Sequence, residues 1–117
     1  MDRHFKIHEK HAILTVEVLV DKFDFLELSE SSRYLRNILE KRNYPTTIFD
    51  LQRVGFIDSS VFGFLLEIHN MAKKKGNKIV IVCADKTVLH VMAMLTVPEI
   101  IKVFPTIEEA EGYLNIK

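Results

Sequence analysis

The chain predicts an α/β domain built on a mixed, largely parallel β-sheet with about four α-helices. Three observations carry that prediction. Strand-type and helix-type patterns alternate along most of the sequence, as they do where helices connect parallel strands. The run KIVIVCA (Lys78 to Ala84) is apolar almost throughout and of strand length, which suits a strand covered on both faces. The 117 residues are 48% apolar and 27% charged and contain no internal repeat, low-complexity tract or Pro/Gly-rich linker. One domain over residues 1–117, large enough to bury a core without metal or disulfide staples, is therefore expected.

The elements follow in order. HFKIHE (His4 to Glu9) reads as a short strand that turns near Glu9 and Lys10 into a second strand. There Leu14, Val16, Val18 and Val20 alternate with Thr15 and Glu17, the pattern of a half-buried strand. SSRYLRNILEKR (Ser31 to Arg42) reads as a helix with Tyr34, Leu35, Ile38 and Leu39 on one stripe and the preceding SES as candidate caps. Thr46 to Leu51 is β-branched and bounded by Pro45, hence a strand. A long helix over Ser59–Lys75 comes next, and its basic last turn before Gly76 is an ordinary helix ending. After Lys78 to Ala84, a helix from about Asp85 ends by Pro98, IKVFP forms a short strand, and TIEEAEGYLNI closes the chain as an acid-started helix.

Sixteen basic residues balance sixteen acidic ones, which removes the electrostatic footprint of a nucleic-acid binder and weakens the case for an acidic membrane surface, so neither is expected as a partner. No run approaches the ~18–20 apolar residues of a membrane span, and the start MDRHFKIHEK lacks a signal-type apolar core. The single Cys83 lies in an apolar run and is expected to be a buried free thiol. A cytoplasmic protein follows as the expectation.

GFIDSSVFGFLLEI, from Gly55 to Ile68, is the informative stretch. At about 100° per residue, Val61, Phe64, Leu65, Ile68, Met71 and Ala72 share the core stripe of the long helix. Ser59, Phe62, Gly63 and Leu66 fall away from it, and Ser60 turns toward the buried edge. Those four form either a contact with a neighbouring helix or a docking patch for another protein. Asp58, Ser59 and Ser60 are equally good caps for the helix start. In the next helix Val91 and Met94 fall off the stripe of Val88, Leu89, Met92 and Leu95, extending the same patch, forming a dimer contact or packing in the core.

Residues Val54 to Leu95 resemble the central part of the STAS domain of bacterial anti-sigma factor antagonists: an apolar lead, Asp-Ser-Ser, a Gly at position 63, an amphipathic helix ending in Lys and Gly, then a strand and a helix. The element order and the ending IIKVFPTIEEAEGYL fit that family as well. The resemblance implies a regulatory binding protein, not an enzyme, and no cofactor. Its partners would be an anti-sigma factor that is also a serine kinase, and a phosphatase. Ser59 is then the phosphoacceptor (Ser60 the alternative), with Asp58, Ser59, Phe62, Gly63, Leu66 and Asp21 at the partner surface and release upon phosphorylation. Val61 stands where the family usually has a first Gly, and LVDKFDF replaces its usual Gly-Glu/Asp turn, leaving Asp21 in the comparable place. A weak homodimer and a non-phosphorylated, structural or transport-associated STAS module are the readings kept beside this one.

Other chemistry is poorly served. On one strand only His4 and His8 share a face, and four residues at about 3.3 Å put them roughly 13 Å apart, too far for one ion, so no metal is expected from the histidines. No Gly-x-Ser-x-Gly elbow, Walker or dinucleotide glycine pattern occurs.

Overall fold

The computed structural model describes residues 4–114. In order, the chain forms β1 (Phe5–Lys10), β2 (Ile13–Val18), β3 (Lys22–Phe23), α1 (Phe25–Lys41), β4 (Thr46–Asp50), β5 (Phe56–Ile57) and α2 (Ser59–Lys74). There follow β6 (Lys78–Val82), α3 (Lys86–Met94), a 3₁₀ turn over Val97–Glu99, β7 (Val103–Phe104) and α4 (Ile107–Leu114). The main sheet has the order β1-β2-β4-β6-β7, with β1 antiparallel to β2 and the remaining pairs parallel. The α/β class and the mixed, largely parallel sheet are as the sequence indicates. Residues 115 and 116 of the expected last helix lie outside the described residues.

Two cores result from the crossovers. Register places Val16, Phe49 and Ile81 side by side on one face of the sheet, where they join Leu35 of α1, Leu65 and Ile68 of α2, and Val88 and Met92 of α3. On the other face Ile13, Ile48, Val80 and Val82 meet Ala110 of α4. Strand β6 is thus covered on both sides, which explains its continuous apolar run. Cys83, just past β6, is a buried free thiol, and burial pushes its pKa up.

Three local features depart from the sequence reading. The first hairpin turns at His11 and Ala12 rather than at Glu9 and Lys10, with φ of 52° and 66°. Positive φ at both loop residues gives the mirror turn that matches strand twist, but it is made here without Gly or Asn and so leaves no signal. Helix α1 starts at Phe25, not Ser31, because the Asp24 carboxylate caps it by accepting the N–H groups of Leu26 (3.1 Å) and Glu27 (3.2 Å). Ser31, read as a cap, is fully buried within that helix. Finally, β3 and β5 pair in parallel as a two-residue ribbon, Lys22 with Phe56 and Phe23 with Ile57. Elements this short carry no periodicity, yet this ribbon brings the starts of α1 and α2 together.

Candidate functional site

The two helix starts meet at one carboxylate. Asp58, in extended conformation, is the N-cap of α2. Its Oδ1 accepts the N–H groups of Ser60 (3.1 Å) and Val61 (3.4 Å) and the Ser60 hydroxyl (2.6 Å). Its Oδ2 accepts the Phe25 N–H at the first residue of α1 (3.0 Å). One side chain therefore caps α2 and fastens α1 to it. Partial burial pushes the Asp58 pKa up, but the bonds from the Ser60 hydroxyl and from the Phe25, Val61 and Ser60 amides outweigh it and hold the group below the ordinary carboxylate value.

The two adjacent serines have different environments. Ser59, the first residue of α2, is exposed, whereas Ser60 is half-buried beside α1 with its hydroxyl engaged by Asp58. The helical periodicity that separated them in sequence separates them in space.

The patch read beside Ser59 needs correction. Phe62 is only 2% exposed and belongs to the main core with Val88 and Met92 of α3, so it is no part of an open surface. Helix α2 is the middle one of three on its side of the sheet, and its buried arc is wider than the single stripe of a helix flanked by solvent. Leu66 is half-buried against the same core. Gly63 remains exposed, with open space where a Cβ would stand. Val61, in the usual place of a Gly, is fully buried under the first turn. Met94, by contrast, is 69% exposed.

Apolar surface does exist at this end, but from other residues. Phe25 and Leu26 are 60% and 68% exposed at the start of α1, and Phe56 is 46% exposed two residues before Asp58, with the Lys22 ammonium 5.5 Å from its ring centre. A helix that starts at Ser31 leaves Phe25 and Leu26 in a loop, where periodicity assigns them no face. Once Asp24 is seen as the cap, Leu26 falls about 160° from the buried Leu28 on the wheel, which marks it as outward-facing. Asp21 is exposed, and its carbonyl accepts the N–H groups of Gly55 (2.8 Å) and Phe56 (3.2 Å), so it holds the approach to α2 in place. The structure thus gathers Asp21, Asp58, Ser59 and Gly63 at one end of the molecule, together with the apolar Phe25, Leu26 and Phe56.

The arrangement offers an accessible hydroxyl, a fixed carboxylate and an apolar rim. Among the described residues no helix is long and apolar enough to cross a membrane. A family model described as the STAS domain matches residues 4–110. The fold is similar to that of an anti-sigma factor antagonist from Mycobacterium paratuberculosis, with a TM-score of 0.82 at 12% identity over 96% of this chain and 93% of that one. It is also similar to the Bacillus cell fate determinant SpoIIAA in the phosphorylated form, with a TM-score of 0.70 at 16% identity over 95% of this chain and 99% of that one. A sulfate transporter family protein from Wolinella succinogenes gives a TM-score of 0.69 at 19% identity, over 87% of this chain and 84% of that one.

Proposed function

Because this chain belongs to the STAS domain family, we propose that it is an anti-sigma factor antagonist whose partner is an anti-sigma factor and serine kinase. It works by binding rather than catalysis, and phosphorylation of Ser59 releases the partner until a phosphatase restores the hydroxyl. The observation that carries this reading is the contrast between the two serines: Ser59 open to solvent at the first position of α2, Ser60 tied to Asp58.

A switch of this kind would need no change of shape. Phosphorylation adds about 1.5–2 negative charges, which the positive end of the α2 dipole tolerates. The Ser60 and Val61 amides already donate to Asp58, so the new phosphate stays directed at solvent. A partner seated on Phe25, Leu26 and Phe56 would have to desolvate that dianion. Burying an unpaired ion costs several kcal/mol, and each 1.4 kcal/mol is about tenfold in affinity.

Incubation with ATP and the ATP-binding anti-sigma factor of the same cell, followed by peptide mass spectrometry, tests the assignment. Phosphate on Ser59 is expected, with Ser59→Ala binding permanently and Ser59→Asp folding but binding weakly. Phosphate on Ser60 alone would overturn the choice of acceptor. Label on neither serine would point to the alternative, a STAS module held constitutively by a fixed structural or transport-associated partner.

A further inference from the structure

We propose that the cleft between α1 and α2 receives apolar side chains from an amphipathic helix of the anti-sigma factor, and so helps to choose the partner that phosphorylation releases. This rests on the reading of the chain as an anti-sigma factor antagonist. The cleft holds about 410 Å³ and opens beside the proposed phosphoacceptor, since Ser60 lines it at one end. Both helices start at that end, fastened through the Phe25 N–H and Asp58, and they run together to Arg36 and Glu67, whose side chains meet at 2.7 and 3.2 Å. From Phe25 to Arg36, and from Ser60 to Glu67, the helices advance about 10–16 Å at about 1.5 Å per residue, or two to three turns.

The lining selects for apolar groups. Leu28 and Phe64, both buried, line the inner side of the cleft, and Phe25, 60% exposed, lines its mouth. The polar groups around them are already satisfied. The Ser29 hydroxyl donates to the Leu26 carbonyl (3.0 Å), the Ser60 hydroxyl donates to Asp58 (2.6 Å), and Arg36 donates twice to Glu67. The Arg36 guanidinium also lies 5.1 Å from the centre of the Phe64 ring. An apolar group can therefore enter without stranding a donor or an acceptor, which is the usual cost of covering polar walls. The same pairings turn an anion away, because Glu67 holds the guanidinium and Asp58 holds the first amides of α2.

Shape and position name the occupant. Phe25 and Ser29 are exposed along the rim, so the cleft lies open on one side, whereas a small ligand needs to be enclosed. A cleft two to three turns long between helices that run the same way suits a third helix laid against them, with anchors three and four residues apart. A protein that touches Ser59, as it must to be released by a phosphate there, also reaches Ser60 and Phe25. The partner of the switch is thus the one that covers this cleft.

The purified chain is titrated calorimetrically with the purified ATP-binding anti-sigma factor of the same cell. Ser32→Trp, which fills the cleft, should weaken binding at least about tenfold, and Ser29→Glu, which sets a charge on its exposed rim, should do the same. Asn37→Trp, at an exposed position about 140° round the helix from Ser32, should leave affinity within about twofold. All three should melt within about 3 °C of the wild type. Ser32→Cys carrying a benzophenone label, with Cys83 buried and unlabelled, should cross-link to apolar residues spaced three and four apart in the anti-sigma factor. Unchanged affinity in Ser32→Trp and Ser29→Glu, or cross-links only to a second copy of the chain, overturns the cleft and leaves the Ser59 switch standing. No binding by the wild-type chain overturns the reading on which the cleft depends, and the cleft with it.

Discussion

Replacing Asp58 tests the junction of the two helices most directly. Asp58→Ala removes an N-cap, a loss of about 0.5–2 kcal/mol. It also removes the acceptor of the Phe25 N–H, a charge-assisted bond worth about 1.5–3 kcal/mol. The expected total is about 2–5 kcal/mol, read as a shift in urea midpoint at unchanged slope. Asp58→Asn keeps an oxygen for Ser60 and Val61 but turns an amide donor toward the Phe25 N–H, so it should cost roughly half as much. The pH dependence has a definite sign. Because the folded-state pKa of Asp58 is depressed, its contribution is complete above the ordinary carboxylate range and is lost as pH falls through the lower folded value. The gap between wild type and Asp58→Asn should therefore be widest near neutral pH and close in acid. An Asp58→Ala cost below about 0.5 kcal/mol, or a gap that does not change with pH, would refute the shared-carboxylate account.

Two contrasts probe the surface around Ser59. Phe62→Ala should cost about 3–5 kcal/mol of folding stability, as core truncations do. Phe25→Ala, at an exposed position, should cost less than about 1 kcal/mol in the same urea experiment while weakening partner binding by more than that; the reverse ranking would return Phe62 to the docking surface. Gly63→Ala fills open space on a helix without positive φ and should raise stability by about 0.5–1 kcal/mol. Should it also leave kinase binding unchanged in a calorimetric titration, the bare backbone at Gly63 plays no part in docking.

Elements with long, regular periods were legible from sequence. The α2 boundaries, the buried β6 and the alternation in β2 all follow from how residues share water or core, and the structure places them as read. What escaped reading was set by contacts between distant segments. Asp24 caps α1 with nothing but a short acidic side chain to announce it, and the apolar residues just after it then looked like part of a loop. A helix begun at Ser31 leaves Phe25 and Leu26 without a helical face, so their exposure has no signature in the pattern. Strand spacing relates His4 only to His8, whereas in the fold His4 meets Ser31 and Glu27 of α1. Phe62 failed for a different reason. A wheel shows where a side chain points but not how many helices lie beside it, and α2 has one on either side.

The ends of the sheet bear on how the protein behaves in a crowded solution. Strand β1 forms one edge, and its last three residues, His8, Glu9 and Lys10, are all polar and exposed; β7, at the other edge, is two residues long. Neither offers a long apolar template on which a second chain could continue the sheet. The most exposed large apolar side chains lie instead near the starts of α1 and α2, and at Met94, Leu95 and Ile100 around the end of α3. Self-association by strand addition is thereby discouraged. Contacts between copies then fall to the helix surfaces, where the match of side chains, and not the pairing of backbones, decides which of them last.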